Sequence, residues 1–253
     1  MGGKQRLDQA LLSRGLVASR ARAKEAIQRG AVRVDGSIIR KPAAVISDAA
    51  EVILAADKAL AYVSRAALKL IHGLDHFSIP VAGRTALDLG AATGGFTEVL
   101  LERGAARVFA IDVGHGQLHP QIAADPRVIA FEGLNARDLD RTAIPVAPDI
   151  IVCDVSFISL TLALPPALDL AASEADLVAL IKPQFEVGPK GLGKGGIVRN
   201  PDLHAGTCER ITHFLEDRGW PVLGVTPSPI TGGDGNQEFI IAARRHCSAA
   251  GRV

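Results

Sequence analysis

Four ionisable residues lie at places in the sequence where proton chemistry could be done. Lys182 directly follows the strongly apolar run 177–181, where burial disfavours the charged form of a lysine. Asp154 and Glu238 adjoin other apolar runs, and Lys69 lies in a helical pattern. Each of them alone could belong to a structural ion pair. Together, two lysines and two carboxylates could orient a hydroxyl group and either remove its proton or stabilise the negative charge that develops on its oxygen.

A second constellation, residues 87–96, could bind a nucleotide-type cofactor. It reads Leu-Asp-Leu-Gly-Ala-Ala-Thr-Gly-Gly-Phe and joins a predicted strand to a predicted helix. Glycines in such a turn let a ligand approach the backbone, and the first N–H groups of the helix face that ligand. The glycine spacing nearly fits the dinucleotide fingerprint, so NAD stays open on this pattern alone.

Acidic residues around the turn favour S-adenosylmethionine (SAM) over NAD. Asp88 precedes Gly90 by two residues, where a carboxylate can accept a hydrogen bond from the methionine ammonium group. Asp112 ends the next predicted strand, where an acid can accept from ribose hydroxyls in proteins of either class. Asp154 ends a further strand beside the expected cleft, although it could also cap a helix.

Two other motifs carry weaker signals. Residues 188–195 fit the first part of a P-loop, but Gly195 stands where the magnesium-binding hydroxyl belongs and no helix pattern follows. A mobile basic flap over the cleft that touches RNA is the better interpretation. His115 and His119 have a helical zinc spacing, but glycines and Pro120 interrupt the helix, so we expect no metal.

These residues need an α/β scaffold to bring them together. Apolar runs predict strands at residues 85–89, 107–112, 128–132, 149–154, 176–182, 221–226 and 237–243. Helical patterns predict helices at residues 64–76, 95–103, 117–124, 157–172 and 202–218. The alternation predicts a doubly wound, Rossmann-like α/β domain with buried parallel strands, and the carboxyl ends of those strands would form the cleft.

A basic module precedes this domain. Residues 1–41 carry a net charge of +7, whereas the rest of the 253 residues carry −6. Two short helices, the second capped by Ser19 and ended by Gly30, lead into a hairpin around Asp35-Gly36. A basic helix alone could be a solvated face, but this density of Lys and Arg favours a polyanion-binding α+β domain at residues 1–58. A linker is predicted at 59–63, followed by the larger domain at 64–253.

The composition limits the classes of protein to which this chain can belong. The apolar fraction of 48% and the charged fraction of 22% are ordinary for globular chains. Residues 1–15 lack the apolar core of a signal peptide, and prolines interrupt the longest charge-free apolar stretch, residues 155–168. The spacing of Cys153, Cys208 and Cys247 fits neither a zinc site nor a disulfide framework. We therefore expect a cytoplasmic protein without a membrane anchor.

The chain resembles two known families. Residues 20–36 resemble the RNA-binding domain first described in a small-subunit ribosomal protein, which implies recognition of structured RNA through shape and phosphates. The order Lys–Asp–Lys–Glu is similar to that of FtsJ-like RNA ribose 2′-O-methyltransferases. With the segments at 112–118, 154–159, 182–186 and 235–239, nearly the whole chain resembles the TlyA (haemolysin A) family.

The resemblance implies a SAM-dependent methyltransferase that acts on ribose 2′-hydroxyls of ribosomal RNA in ribosomal subunits, with cytidine favoured. It implies a catalytic tetrad of Lys69, Asp154, Lys182 and Glu238. Our own hypothesis is that Lys182 activates the hydroxyl, as a general base if neutral or by stabilising developing negative charge if protonated. The resemblance implies SAM contacts at Asp88, Gly90, Gly94, Gly95, Phe96 and Asp112, with Asn135 a weaker candidate for the adenine side. The predicted RNA contacts are Arg6, Arg20, Arg22, Lys24, Arg29, Arg33, Lys41 and Arg65. The sequence alone leaves the nucleotide, the subunit and the oligomeric state open.

Residues 64–67 depart from the family pattern. The family often has Ser-Arg-Gly-Gly before its first catalytic lysine, whereas this chain has Ser-Arg-Ala-Ala. Alanine is the better helix former, so Lys69 stays in register while a hinge or close RNA approach there is in doubt. Three alternatives stay open: a non-catalytic ribosome assembly factor, a haemolysin-like membrane-active protein and an NAD dehydrogenase.

Overall fold

The computed structural model describes residues 3–17, 19–55 and 61–246, which form two compact units divided between Tyr62 and Val63. Residues 59 and 60 of the predicted linker lie outside the described residues, as does Cys247. The linker and its bounds therefore stay a prediction.

The first unit combines two helices with short strands. Its elements are β1 Lys4–Arg6, α1 Leu7–Ser13, α2 Arg20–Arg29, β2 Val32–Val34, β3 Ser37–Ile38, β4 Val45–Ser47 and β5 Val52–Leu54. The predicted signals around α2 are confirmed, because the Ser19 hydroxyl accepts the Arg22 N–H and Gly30 ends the helix with a φ of 80°. The β2–β3 hairpin and the pairing of β2 with β5 form one sheet, and β1 pairs with β4 in another.

The second unit is an α/β domain. Its strands are β6 Thr85–Leu89, β7 Arg107–Asp112, β8 Val128–Glu132, β9 Ile150–Cys153, β10 Ala175–Ile181, β11 Val222–Pro227 and β12 Phe239–Arg245. Its described helices are α3 Ala67–His76, α4 Gly95–Glu102, α5 Pro120–Ala123, α6 Leu160–Ala163, α7 Pro165–Leu170 and α8 Pro201–Glu216.

The strands form one mixed sheet in the order β11-β12-β10-β9-β6-β7-β8. Strands β6 to β10 pair in parallel, whereas β12 runs antiparallel to both β10 and β11. The chain order reverses between β6 and β9, so their carboxyl ends open a crevice at the topological switch point. Residues 88–90, 112 and 154 lie at or next to that edge, where the sequence predicts the cofactor and the chemistry.

Four structural predictions need correction. The predicted helix 157–172 is wrong as one helix: residues 157–159 form a loop before α6, and α7 starts separately because Pro165 has no N–H for a continuous hydrogen-bond ladder. The expectation of parallel strands is wrong for β11 and β12, because an apolar run does not encode strand direction. The predicted helix 64–76 begins only at Ala67, and the predicted helix 117–124 is confined to α5.

Candidate active site

The four predicted catalytic residues meet at the carboxyl edge of the sheet. We call Lys69, Asp154, Lys182 and Glu238 the lysine network. The Lys69 Nζ lies 2.5 Å from a Glu238 carboxylate oxygen and 3.9 Å from Asp154 Oδ2. The Lys182 Nζ lies 2.6 Å from Asp154 Oδ1. The charges therefore alternate along one chain of contacts, and three of the four residues are buried.

Different elements carry these side chains. Lys69 lies in the first turn of α3, and Lys182 directly follows the fully buried strand β10. Asp154 follows β9 and is fixed by a backbone hydrogen bond from its N–H to the Leu89 carbonyl at 2.9 Å. Glu238 directly precedes β12. Strand ends and a helix start are rigid supports, so the network is preorganised.

Lys182 has a further contact that connects it with an open cleft. Its Nζ donates to the Asp154 carbonyl at 3.1 Å and to the Ser156 hydroxyl at 2.8 Å. Ser156 and Asp154 line a cleft of about 790 Å³, a volume suited to a small-molecule or cofactor site. Asp112 and Asn135 also line this cleft. The lysine network therefore meets a cofactor-sized cleft through Asp154 and through the contact of Lys182 with Ser156.

Glycines shape the turn after β6. A Cβ on Gly90 would lie 3.0 Å from the backbone of Asp154, and Gly90 has a φ of 81°, so glycine permits the turn to close against β9. A Cβ on Gly95 would lie 2.9 Å from the Ser64 Cβ, which indicates close packing of α4 against the segment before α3. Gly94 faces Leu118 in the same way, and Phe96 is buried. Their predicted SAM contacts stay predictions.

Asp88 is fully buried beneath this turn. Its Oδ2 accepts a hydrogen bond from the Thr97 hydroxyl at 2.6 Å, while Oδ1 has no partner among the described residues. The pKa of Asp88 is raised to about 7, mainly by burial; the Thr97 hydrogen bond opposes this rise, and the negative charge of Asp154 adds to it. A cation that reaches Oδ1 would complete this site.

Asp112 and Asn135 have backbone partners that fix them in the cleft wall. The Asp112 oxygens accept the N–H groups of Ala92 and Gly114 at 2.8 and 2.7 Å. The Asn135 Oδ1 accepts the Arg137 N–H at 3.0 Å and caps a short turn. Both side chains face the cleft as predicted positions for a nucleoside, and their oxygens retain lone pairs for further donors.

Comparison with known proteins places both units in families. The FtsJ-like methyltransferase model matches residues 62–245, and the S4 domain model matches residues 5–52. The chain belongs to the TlyA family of FtsJ-like methyltransferases. It is 46% identical over 250 residues to the 16S/23S rRNA (cytidine-2′-O)-methyltransferase TlyA of Mycobacterium tuberculosis, covering 99% of this chain and 93% of that protein.

Other relatives agree with this membership. The chain is 38% identical to Hemolysin A of Brachyspira hyodysenteriae, with 93% of this chain and 98% of that protein covered. A structure assigned as a hemolysin from Streptococcus thermophilus has a TM-score of 0.77 at 39% identity, covering 98% of this chain and 90% of that one. FtsJ-like membership decides against an NAD dehydrogenase and a purely binding protein. None of the helices in the described ranges has the length and hydropathy needed to cross a membrane.

The S4 unit presents most of its predicted RNA contacts to solvent. Arg6, Arg20, Lys24, Arg29, Arg33 and Lys41 are exposed, and Arg22 is half-buried. Arg6 pairs with Asp8 through two contacts of 2.7 and 2.9 Å, and Arg33 donates to the Gly36 carbonyl. Arg65 lies in the methyltransferase unit and is half-buried. Contact of these residues with RNA stays a prediction.

Two candidate functional residues, Phe157 and Glu186, are not among the site residues predicted from the sequence. Phe157 is 90% exposed at the cleft and has a φ of 64°, which is unusual for a bulky residue and makes it a candidate functional position. Glu186 is buried and accepts hydrogen bonds from residues 159 and 160. Both lie inside segments that carry the family resemblance, Asp-Val-Ser-Phe-Ile-Ser and Lys-Pro-Gln-Phe-Glu. Phe157 is not ionisable, and Glu186 does not lie at the end of a strand.

The described residues offer little support for metal or thiol chemistry. They contain no group of three His, Cys, Asp or Glu side chains placed to hold a metal ion. The His119 ring nitrogen Nδ1 accepts the Gln121 N–H and caps α5. Burial raises the pKa of the Cys153 thiol to about 12, so it is neither a thiolate nucleophile nor a ready metal ligand.

Proposed function

We propose that this chain transfers a methyl group from SAM to a ribose 2′-hydroxyl of ribosomal RNA, with cytidine as the nucleotide. The observation that carries the proposal is the lysine network beside the cleft, in which Lys182 contacts both Asp154 and the cleft residue Ser156. The relative from Mycobacterium tuberculosis is named for cytidine-2′-O methylation of 16S and 23S rRNA. Ribosomal subunits as substrates imply that the protein works in the cytoplasm.

Several residues suit SAM. Asp112 and Asn135 would hold the ribose and adenine ends, and the unpartnered Asp88 Oδ1 would complement the cationic ammonium group. When bound, SAM supplies an electrophilic methyl group on a sulfonium centre. The remaining work falls to the protein, which must orient the hydroxyl and accommodate its proton.

Lys182 is the group best placed to act on the hydroxyl. Its Nζ donates hydrogen bonds to the Asp154 carbonyl and to the Ser156 hydroxyl, and it forms an ion pair with Asp154 Oδ1 at 2.6 Å. Of these partners, the Ser156 hydroxyl is neutral and lines the cleft, so a substrate hydroxyl can take its place. Lys182 then donates to the oxygen as negative charge develops, or accepts the proton if it has lost its own.

Asp154, Lys69 and Glu238 would control this lysine electrostatically. Asp154 orients Lys182, and Lys69 lies near the other Asp154 oxygen at 3.9 Å. Glu238 balances Lys69 through the 2.5 Å contact. The exposed Phe157 ring at the cleft offers an aromatic face on which a splayed base can stack. The exposed basic residues of the S4 unit would bind RNA phosphates.

The proposal is tested with purified 30S and 50S subunits and SAM labelled with tritium in its methyl group. We expect transfer of label to RNA and, after alkaline hydrolysis, recovery of the label in dinucleotides, because a methylated 2′-oxygen cannot attack the neighbouring phosphate. Label in mononucleotides would show base methylation and contradict the proposal. Absence of transfer to both subunits and to free ribosomal RNA would also contradict it.

A further inference from the structure

Glu186 is a buried carboxylate outside the lysine network. Its side chain is 2% exposed, and it lies four residues after Lys182. Oε1 accepts the Leu160 N–H at 2.8 Å, and Oε2 accepts the Ser159 hydroxyl at 2.7 Å. Arg210 on α8 pairs with Oε2 at 2.6 Å. These contacts satisfy a charge that would otherwise be costly to bury.

The contacts join two loops that carry the chemistry. Loop 154–159 follows β9 and contains Asp154 and Ser156, whereas loop 182–187 follows β10 and begins at Lys182. Glu186 belongs to loop 182–187 and accepts a hydrogen bond from Ser159, the last residue of loop 154–159. The rings of Phe157 and Phe185 pack between the same two loops, with centroids 4.9 Å apart. Glu186 thus ties together the segments whose separation sets the Lys182–Asp154 contact.

Loop 154–159 has a backbone that requires support. Phe157 has a φ of 64°, a conformation that a bulky residue keeps only where the surrounding structure enforces it. One end of the loop is fixed by the hydrogen bond from Asp154 to Leu89 at 2.9 Å. The other end is fixed by the contacts of Ser159 and Leu160 with Glu186.

We propose that Glu186 is a positioning residue, which fixes loop 154–159 against loop 182–187 and thereby sets the geometry of Lys182, Asp154 and Ser156. Glu186 is not among the residues that line the cleft, so it acts through these neighbours. The kinetic part of this inference rests on the proposed methyl transfer. The structural part rests only on the contacts of Glu186.

The test compares Glu186→Ala, Glu186→Gln and the control Asp176→Asn. Asp176 is also a buried carboxylate paired with arginines, but it lies at the opposite end of the sheet. In Glu186→Ala we expect kcat to fall about 30-fold, with a change of less than about threefold in the KM for SAM, because misplaced groups slow the chemical step. Glutamine can still accept from Leu160 and donate to Ser159, so Glu186→Gln recovers most of kcat. Asp176→Asn keeps wild-type kcat.

Amide hydrogen exchange of residues 155–160 gives a readout independent of methyl transfer. We expect exchange about tenfold faster in Glu186→Ala, and unchanged in Glu186→Gln and Asp176→Asn. If the wild-type protein does not methylate ribosomal RNA, the proposed function fails and the exchange comparison alone decides the role of Glu186.

Wild-type kcat in Glu186→Ala, an equal loss of kcat in Asp176→Asn, or unchanged exchange in Glu186→Ala would each overturn the inference. If Glu186→Ala does not fold, Ser159→Ala takes its place in the test, because this variant removes one of the same contacts. The expected result is then a several-fold loss of kcat with faster exchange at residues 155–160, and wild-type values of either quantity would overturn the inference.

Discussion

Two ion networks lie at opposite ends of the same sheet, and they use different cations. The lysine network lies at the carboxyl ends of the parallel strands, beside the cleft. At the amino ends, Asp176 lies between Arg84 and Arg244 at 2.5 and 2.6 Å, and Arg84 also pairs with Asp149 at 3.2 Å. We call these four residues the arginine network.

The type of cation matches the role that we infer for each end of the sheet. A guanidinium presents donors in a rigid fork and stays charged, which suits a permanent link between strands. Arg84 directly precedes β6 and reaches carboxylates beside β9 and within β10, so it links three neighbouring strands. An ammonium is a compact charge that can lose its proton when desolvated. We infer from this comparison that the network with lysines, rather than the network with arginines, is the candidate site of the chemistry.

The largest predicted effect comes from removing the lysine that reaches the cleft. Lys182→Met should lower the rate of methyl transfer by about 10³-fold, because no group remains to stabilise negative charge on the hydroxyl oxygen or to accept its proton. Single-turnover assays with saturating enzyme measure this step, and SAM titration serves as the binding control. A rate within tenfold of wild type would remove the lysine network from the chemistry.

Removing the central carboxylate of the arginine network should change stability and leave the chemistry intact. Asp176→Ala should lower the free energy of unfolding by about 3 kcal/mol, since two arginines lose a common partner. Urea unfolding followed by circular dichroism measures the loss. The methyl-transfer rate per folded molecule should stay at the wild-type value, and a tenfold lower rate would show that the two ends are not separate in function.

Asp88 sharpens the comparison, because it is a carboxyl at the cleft end without a cationic partner among the described residues. Its pKa of about 7 means that the carboxyl is largely protonated at pH 6 and ionised at pH 8. Only the ionised form attracts the ammonium group of SAM, so SAM affinity should rise about tenfold over this range.

Calorimetric titration with SAM at pH 6 and pH 8 measures this dependence, and Asp88→Asn should abolish it. Ionisation of the Asp88 carboxyl has the opposite effect on folding, because it lowers stability while it raises the affinity for SAM. The folded carboxyl keeps a proton that the unfolded one releases near pH 4, so this contribution to stability is lost as pH rises through 7. An equally steep affinity profile in Asp88→Asn would show that another group is responsible.

The smallest predicted effect comes from exchanging the cation in the arginine network. Arg84→Lys keeps the charge but loses the fork that contacts Asp149 and Asp176 together, so stability should fall by about 1 kcal/mol. Urea unfolding resolves this difference, and the methyl-transfer rate should not change. A stability equal to wild type would show that the fork geometry contributes nothing at this end.

The sequence predicts the members of the active site better than their contacts. Asp154, Lys182 and Glu238 follow from strand ends, and all four residues, including Lys69 in its helix, follow from the family resemblance. The contact of Lys69 with Glu238 joins residues 169 positions apart and depends on packing. The break before α6 depends on the positive φ of Phe157, which no periodicity reveals. The pairing of β1 with β4 involves three-residue strands, which are too short for an alternating pattern.

The most direct test of the central claim is nucleoside mass spectrometry of ribosomal RNA after incubation of subunits with SAM and either wild-type or Lys182→Arg protein. Arginine keeps the positive charge next to Asp154 but cannot release its proton and has a different shape. We predict 2′-O-methylcytidine with the wild-type protein and at least a hundredfold less with Lys182→Arg, although both bind SAM. Equal amounts from both proteins, or a methyl group on the base, would contradict the account.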